Sequence, residues 1–273
     1  MNVCCLGSGS AGNALVVEVE GTRVLVDAGF SARDLERRLD TVGIHPGAID
    51  AILITHDHGD HTRGVGGFAR RHGTPVHLTA LTHHACQSLF RGDERTQIYR
   101  VARPFLLGGL RVETFPTVHD AADPVGIALV DMATGTRLGV ATDLGRPTVG
   151  VRHALSRCDF LVLEANHDEV MLRVGPYPPS VKQRISSSHG HLSNHASARL
   201  ATELLHSRLA GILLAHLSVE CNAPALAREA VGGALERAGW RGWLEVARQD
   251  VPGAMLDVEA LRWRCGPEQM TLL

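Results

Sequence analysis

The chain has a single lysine, Lys182, among 27 basic residues, few aromatic side chains (4%) and a net charge of only −2. A charge so near zero excludes a global basic field, so a nucleic-acid partner has to be met by a local patch. No apolar run approaches the ~20 residues of a membrane span, and no membrane partner is expected. The six cysteines, at 4, 5, 86, 158, 221 and 265, form no C-x-x-C pair and no disulfide-style spacing. Cys4 and Cys5 are adjacent in an apolar run, so they cannot both face one core layer. With no signal-peptide pattern, reduced thiols and a cytoplasmic setting are expected. The length allows a core that needs neither metal nor disulfide to hold it. Linker composition, repeats and low-complexity segments are all lacking, which points to one domain over residues 1–273.

What is present is histidine, concentrated in one stretch. Ala51-Ile52-Leu53-Ile54 is long enough for a buried strand and too short for a core helix. It runs directly into Thr55-His56-Asp57-His58-Gly59-Asp60-His61. His56 and His58, two apart in an extended segment, point the same way, whereas Asp60 and His61 follow a turn that Gly59 allows and can point elsewhere. One turn can thus feed two neighbouring metal positions. Imidazole and carboxylate suit zinc, with manganese or iron as harder alternatives.

Along the chain, apolar runs broken by short glycine turns predict successive strands through Val26. The loop Gly7 to Asn13 is either a plain hairpin connection or a set of backbone N–H groups for an anionic substrate. Asp27 is expected to orient a ligating imidazole. Ser31 and Asp34 suggest a capping box opening a helix to Leu39, and a second helix is expected from Thr62 to His72. His72, His77, His83 and His84 are expected to be surface or packed residues. Short strands are predicted at 75–78, 98–101, 105–107 and 110–115, the last leading to His119. A hairpin of 125–131 and 138–141 leads to Asp143. A helix at 149–156 and a strand at 160–163 precede Glu164. Residues 170–188 show no periodicity and are expected to form a long loop. An amphipathic helix opened by Gly190-His191-Leu192-Ser193-Asn194 is expected to bury Leu200, Leu204, Leu205 and Leu209 and to end at Gly211. A strand at 212–214 reaches His216, a helix follows from Pro224 to Gly239 and a strand from Trp243 to Arg248. The remaining tail carries no readable pattern.

Seven residues of metal-ligating type fall at predicted strand ends: His56, His58, Asp60, His61, His119, Asp143 and His216. In this set and its order the sequence resembles the metallo-β-lactamase superfamily. The resemblance implies an α/β fold, a four-layer αββα sandwich with two divalent metal ions in a cleft at one edge. It implies that His56, His58 and His119 hold the first ion, Asp60, His61 and His216 the second, and that Asp143 bridges them. Ser8 to Asn13, His119-Asp120-Ala121-Ala122-Asp123-Pro124, Glu164-Ala165-Asn166-His167-Asp168, Arg173, Gly175, Tyr177-Pro178 and Gly190 to Asn194 are similar to the YycJ/WalJ family. That resemblance implies DNA exonuclease activity on the 5′ side. Pro179 departs from the tryptophan of the family pattern. His191 with Ser193, and His216-Leu217-Ser218, also resemble the histidine loop of transfer-RNA 3′-processing endonucleases, in which a glutamate placed like Glu164 orients the loop histidine.

The implied chemistry is phosphodiester hydrolysis by a hydroxide held between two metal ions. Asp60 would help to accept the proton of the attacking water. His191, oriented by Glu164, would steady the phosphate or protonate the leaving alkoxide. Arg173, Lys182, Arg184 and Ser193 are candidates for substrate contact, with nucleic acid as substrate and DNA favoured over RNA. The same metal core also serves hydrolysis of small esters, thioesters or lactones, which a near-neutral chain favours. A regulatory metal-binding scaffold without turnover would be expected to lose ligands, and none of the seven is missing.

Overall fold

A computed structural model describes residues 1–265; residues 266–273, part of the expected single domain and of the C-terminal tail, lie outside the described residues. The first strands form the expected meander: β1 (Asn2–Gly7), β2 (Ala14–Val19) and β3 (Thr22–Val26) pair antiparallel. β4 (Ala51–Leu53), β5 (Val76–Leu78) and β6 (Thr96–Ile98) add to β3 in parallel. A second sheet holds β7 (Phe105–Leu107), β8 (Leu110–Pro116), β9 (Val125–Asp131), β10 (Arg137–Ala141), β11 (Phe160–Glu164), β12 (Gly211–Ala215) and β13 (Trp243–Val246). β14 (Leu256–Asp257) returns to the first sheet beside β1.

Strand alternation sorts the apolar residues into layers. Val3, Leu15, Val17, Leu53, Leu110, Ile127, Val162 and Leu213 face one another between the sheets. On the outer face of the first sheet, Leu6, Val16, Leu25 and Ile52 pack under α1 (Ala32–Thr41) and α3 (Val65–His72) through Leu35, Leu39 and Phe68. On the outer face of the second sheet, Leu161, Ile212 and Leu214 pack under α5 (Val149–Leu155), α8 (Asn194–Glu203) and α9 (Pro224–Arg237). Three apolar layers between four structural layers make the αββα sandwich. Cys5 faces the inner layer and Cys4 the outer one, as their adjacency requires.

Several elements depart from the sequence expectation. The helix expected over Thr62–His72 begins earlier and is broken: α2 (Gly59–Thr62) carries Asp60 and His61, and α3 follows after Gly64. Asp34 accepts from Arg37 and Arg38, and only the Ser31 half of the capping box forms. α4 (Ala80–Ala85) was not signalled by any periodicity, being too short to show one. The segment expected as a long loop contains α6 (Glu169–Val174), capped by Asp168, and α7 (Pro179–Ile185), started by Pro179 at its first turn. α8 stops at Glu203 rather than Gly211, because Gly211 already belongs to β12. Leu209 is buried nonetheless, from the connection between them. The strand expected at 98–101 is β6, two residues earlier, and the tail yields β14 and α10 (Val258–Cys265), whose Val258 and Leu261 close the end of the inner layer.

Candidate metal centre

Six strands deliver their C-terminal ends to one edge of the sandwich. β3 ends before Asp27, β4 before Thr55 and His56, β8 before His119, β10 before Asp143, β11 at Glu164 and β12 before His216. Asp27, Asp143 and His216 hold left-handed backbone conformations, with φ of 61°, 57° and 57°. Non-glycine residues take this region at a cost of order 1–3 kcal/mol, and here it turns each side chain off its strand toward a common point. Gly29 has the opposite duty of making room. A Cβ there would lie 1.6 Å from the carbonyl oxygen of Asp60, so only glycine lets α2 sit against the end of β3.

The hydrogen bonds assign the imidazole tautomers. His58 Nε2 faces the Asp120 carbonyl at 3.2 Å and His119 Nδ1 the Gly190 carbonyl at 3.0 Å, so each donates there. Thr55 Oγ1 donates to Asp27 and accepts from His56 Nδ1 at 3.0 Å. What remains is three unprotonated nitrogens converging on one point. His58 Nδ1 and His119 Nε2 face each other at 3.3 Å, and His56 Nε2 is buried with no partner. Two opposed lone pairs and an orphaned third fit a cation at their centre and little else. Burial, reinforced by the charge of His61, holds His56 well below the ordinary imidazole range, and burial also lowers His119.

A second group lies beside the first. His61 Nδ1 donates to Asp27 at 2.7 Å and His216 Nδ1 to Glu164 at 3.1 Å. Their Nε2 atoms turn toward Asp60 Oδ2, at 3.5 and 3.2 Å, and His61 Nε2 lies 3.2 Å from Asp143 Oδ2. Burial opposes a charge on either ring, but Asp143 and Asp27 outweigh it at His61. At His216, Asp143, Asp60 and Glu164 raise the ring to about 10. The same attraction, from His216 and His61, keeps buried Asp143 well below the carboxylate range. Without a metal this group demands positive charge and takes it as protons; divalent cations would satisfy the same demand. Donor atoms of His56, His58 and His119 lie within 4.8 Å of one another, as do those of Asp60, His61 and His216, and Asp143 meets members of both groups. All seven expected ligands are therefore gathered in one cluster, with a donor set that fits divalent metal ions.

Glu164, fully buried, accepts from His191 Nδ1 at 2.8 Å as well as from His216. It also receives the backbone N–H of Asp143, Leu144 and Leu192. Burial raises a carboxyl group, yet His191 and His216 bring this one down to about 2. Two contributors lie inside the sequence motifs without a role that spacing could assign. Thr55 links Asp27 to His56, and Asn13 Nδ2 lies 3.1 Å from His61 Nε2 and 3.3 Å from Asp60 Oδ2. The Gly7–Asn13 loop is not an open anion nest: its N–H groups at Ser8, Gly9, Ala11, Gly12 and Asn13 bond to Arg248, Asn13, Gln249, Gly9 and Asp60. Instead, Ser8 Oγ receives the His216 N–H.

A cleft of ≈ 270 Å³ opens over the cluster, and His58, Asp60, Asp143, His191 and His216 reach it. Arg184 lines it too, paired with Asp120, as does Tyr177. Arg173 and Lys182 do not line it; the Lys182 ammonium instead caps the Arg173 carbonyl at 2.8 Å. Ser193 is the N-cap of α8, its hydroxyl spent on Glu169 and on the Ala196 N–H. His77 and His72 are packed away from the cleft, His72 against Glu36.

The Beta-lactamase superfamily domain matches residues 22–212. A Bacillus anthracis protein named Exodeoxyribonuclease YycJ is 35% identical over 237 residues, covering 86% of this chain and 89% of that protein. Exodeoxyribonuclease WalJ of Streptococcus pneumoniae is 35% identical over 226 residues, 81% of this chain and 83% of that one. The chain belongs to the YycJ/WalJ family of the beta-lactamase superfamily. Its fold is shared more widely. The metallo-beta-lactamase fold protein YhfI from Bacillus subtilis superposes with a TM-score of 0.71 at 17% identity, over 92% of this chain and 98% of that one. Among the described residues of this YycJ/WalJ chain, no helix is long and apolar enough to cross a membrane.

Proposed function

We propose that the chain is a dinuclear-metal phosphodiesterase acting on nucleic acid, most specifically a DNA exonuclease. The observation that carries the reading is a cleft in which two converging donor groups lie beside a histidine that a buried carboxylate orients. The names of the two relatives identical at 35% supply the DNA preference.

In this reading His56, His58 and His119 would hold one ion, and Asp60, His61 and His216 the other. Asp143, which faces His61 and His119, would serve both. Imidazole and carboxylate donors favour zinc, with manganese or iron as the harder alternatives. When bound, the pair of ions supplies a water of lowered pKa and offsets charge on the phosphoryl oxygens. The chain's own residues do the rest. The Asp60 carboxylate accepts the proton of the attacking water. Glu164 accepts the His191 Nδ1–H and so orients the ring; as imidazolium, His191 presents its Nε2–H to steady a phosphoryl oxygen or to give that proton to the leaving alkoxide. Arg184, at the rim, meets a neighbouring phosphate once it leaves Asp120. Tyr177 offers a face on which a base can stack, in the region where Pro179 replaces the family's tryptophan.

The deciding measurement compares bis(p-nitrophenyl) phosphate with a lactone and a thioester, on protein reloaded separately with zinc and with manganese. Phosphodiester turnover that disappears in Asp60→Ala is expected. Turnover of the acyl substrates alone would replace the nuclease reading with that of a small-molecule hydrolase. DNA and RNA labelled at either end then distinguish sugar and polarity.

A further inference from the structure

The metal cleft is not the largest concavity on the second sheet. A groove of ≈ 640 Å³ lies on its outer face, at the strand ends remote from the metal cluster and beside the C-terminal end of α5. Its walls carry four arginines, Arg111, Arg137, Arg157 and Arg208, against one carboxylate, Glu113. In a chain of net charge −2 such a concentration is a local basic patch of the kind a polyanion requires.

Strand register builds it. Arg111 of β8 and Arg137 of β10 both pair with Val130 of β9, so the three form one row across the sheet. The two arginines are two strand spacings apart, roughly 10 Å. Glu113 lies between them and pairs with each at 2.7 Å, which fixes their heads. One carboxylate is shared by two guanidinium groups, and the buried Nε of each has no hydrogen-bond partner. α5 covers the sheet only as far as Leu155, so the row lies open beside its end, where exposed Arg157 forms the other wall.

The strands beneath the groove lead toward the metal cluster. β8 and β10 are both antiparallel to β9 and so run the same way, leading to His119 and Asp143. From Arg137 to Asp143 is roughly 20 Å of extended chain. That spans about six steps of a stacked strand at ~3.4 Å each.

We propose that this groove is a second nucleic-acid site, holding the phosphodiester backbone of a strand whose end lies in the metal cleft. The inference rests on the nuclease reading of that cleft, and the groove adds a separate function, the retention of long substrates. Half-buried Arg111 and exposed Arg157 are the contacts, whereas Arg208 is tied to buried Asp159 and belongs to the fold.

The test measures binding by fluorescence anisotropy, with a single strand of about 20 nucleotides and a trinucleotide, on metal-loaded Arg111→Gln/Arg157→Gln protein. The long strand should bind about tenfold more weakly, with a salt slope lower by about 1.4 for two lost contacts. Trinucleotide affinity and turnover of bis(p-nitrophenyl) phosphate should be unchanged, and Arg111→Lys/Arg157→Lys should restore most of the salt slope. Equal weakening of both strands, or no change in either, would overturn the proposal. Parent protein inert toward bis(p-nitrophenyl) phosphate would instead count against the phosphodiesterase reading, and the binding comparison would still report on the groove.

Discussion

Glu164 Oε1 accepts the Nδ1–H of both His191 and His216, at 2.8 and 3.1 Å, so one buried oxygen sets the tautomer of a candidate ligand and of a candidate proton donor. The carboxylate receives three backbone N–H groups as well, and every contact offers it a donor. Glu164→Gln places an amide nitrogen against donors whichever way it is turned. The metal-free variant should lose about 3 kcal/mol of stability at pH 7. Because the folded pKa of about 2 lies below the ordinary 4.5, the Glu164 contribution is present above pH 4.5 and is lost as pH falls toward 2. Urea unfolding at pH 7 and pH 3 checks this: the gap between parent and variant should narrow at the lower pH.

His216 titrates with the opposite sign. Its metal-free pKa of about 10 exceeds the ordinary 6.5, so its contribution is complete below pH 6.5 and is lost as pH rises through about 10. Chelated protein should melt at lower temperature at pH 10 than at pH 7, with the loss smaller in His216→Ala. Ion binding must displace this proton, so affinity should tighten between pH 6 and pH 8 with measurable proton release.

Thr55→Val removes the hydroxyl that joins Asp27 to His56 while leaving nearly the same volume. Metal affinity should fall by about 10–100-fold with the fold retained, as read by competition with a chromophoric chelator. An unchanged affinity would remove Thr55 from the metal site.

Gly29→Ala drives a methyl group into the Asp60 carbonyl. A destabilisation of about 3 kcal/mol is expected. Both the melting temperature and the metal content should drop, since α2 carries Asp60 and His61. A variant with both intact would show that α2 can shift at no cost.

His191→Ala should keep both metal ions and lose phosphodiester turnover by about 10²–10⁴-fold. Metal content measured on the same sample as turnover separates the possibilities: parallel loss of metal would make His191 a structural residue.

The strands that bear the site and the seven candidate ligands were legible in the sequence. An apolar run followed by an imidazole or carboxylate is a local signal, and it placed His56, His119, Asp143 and His216 at strand ends. The substrate-contact candidates were less legible, because charge in a loop does not say where the loop lies; Arg184 reaches the cleft and Arg173 and Lys182 do not. Short helices such as α2, α6 and α7 span too few turns for periodicity to reveal them. The groups that orient the candidate ligands come from distant parts of the chain. Glu164 and His216 are 52 residues apart, and Asp27 and His61 34 apart. The grouping of Arg111 with Arg137 likewise came from their shared register against Val130. Spacing along a chain fixes which face a residue takes within its own element, while contacts between elements depend on how the sheets pair and pack, which no local pattern encodes.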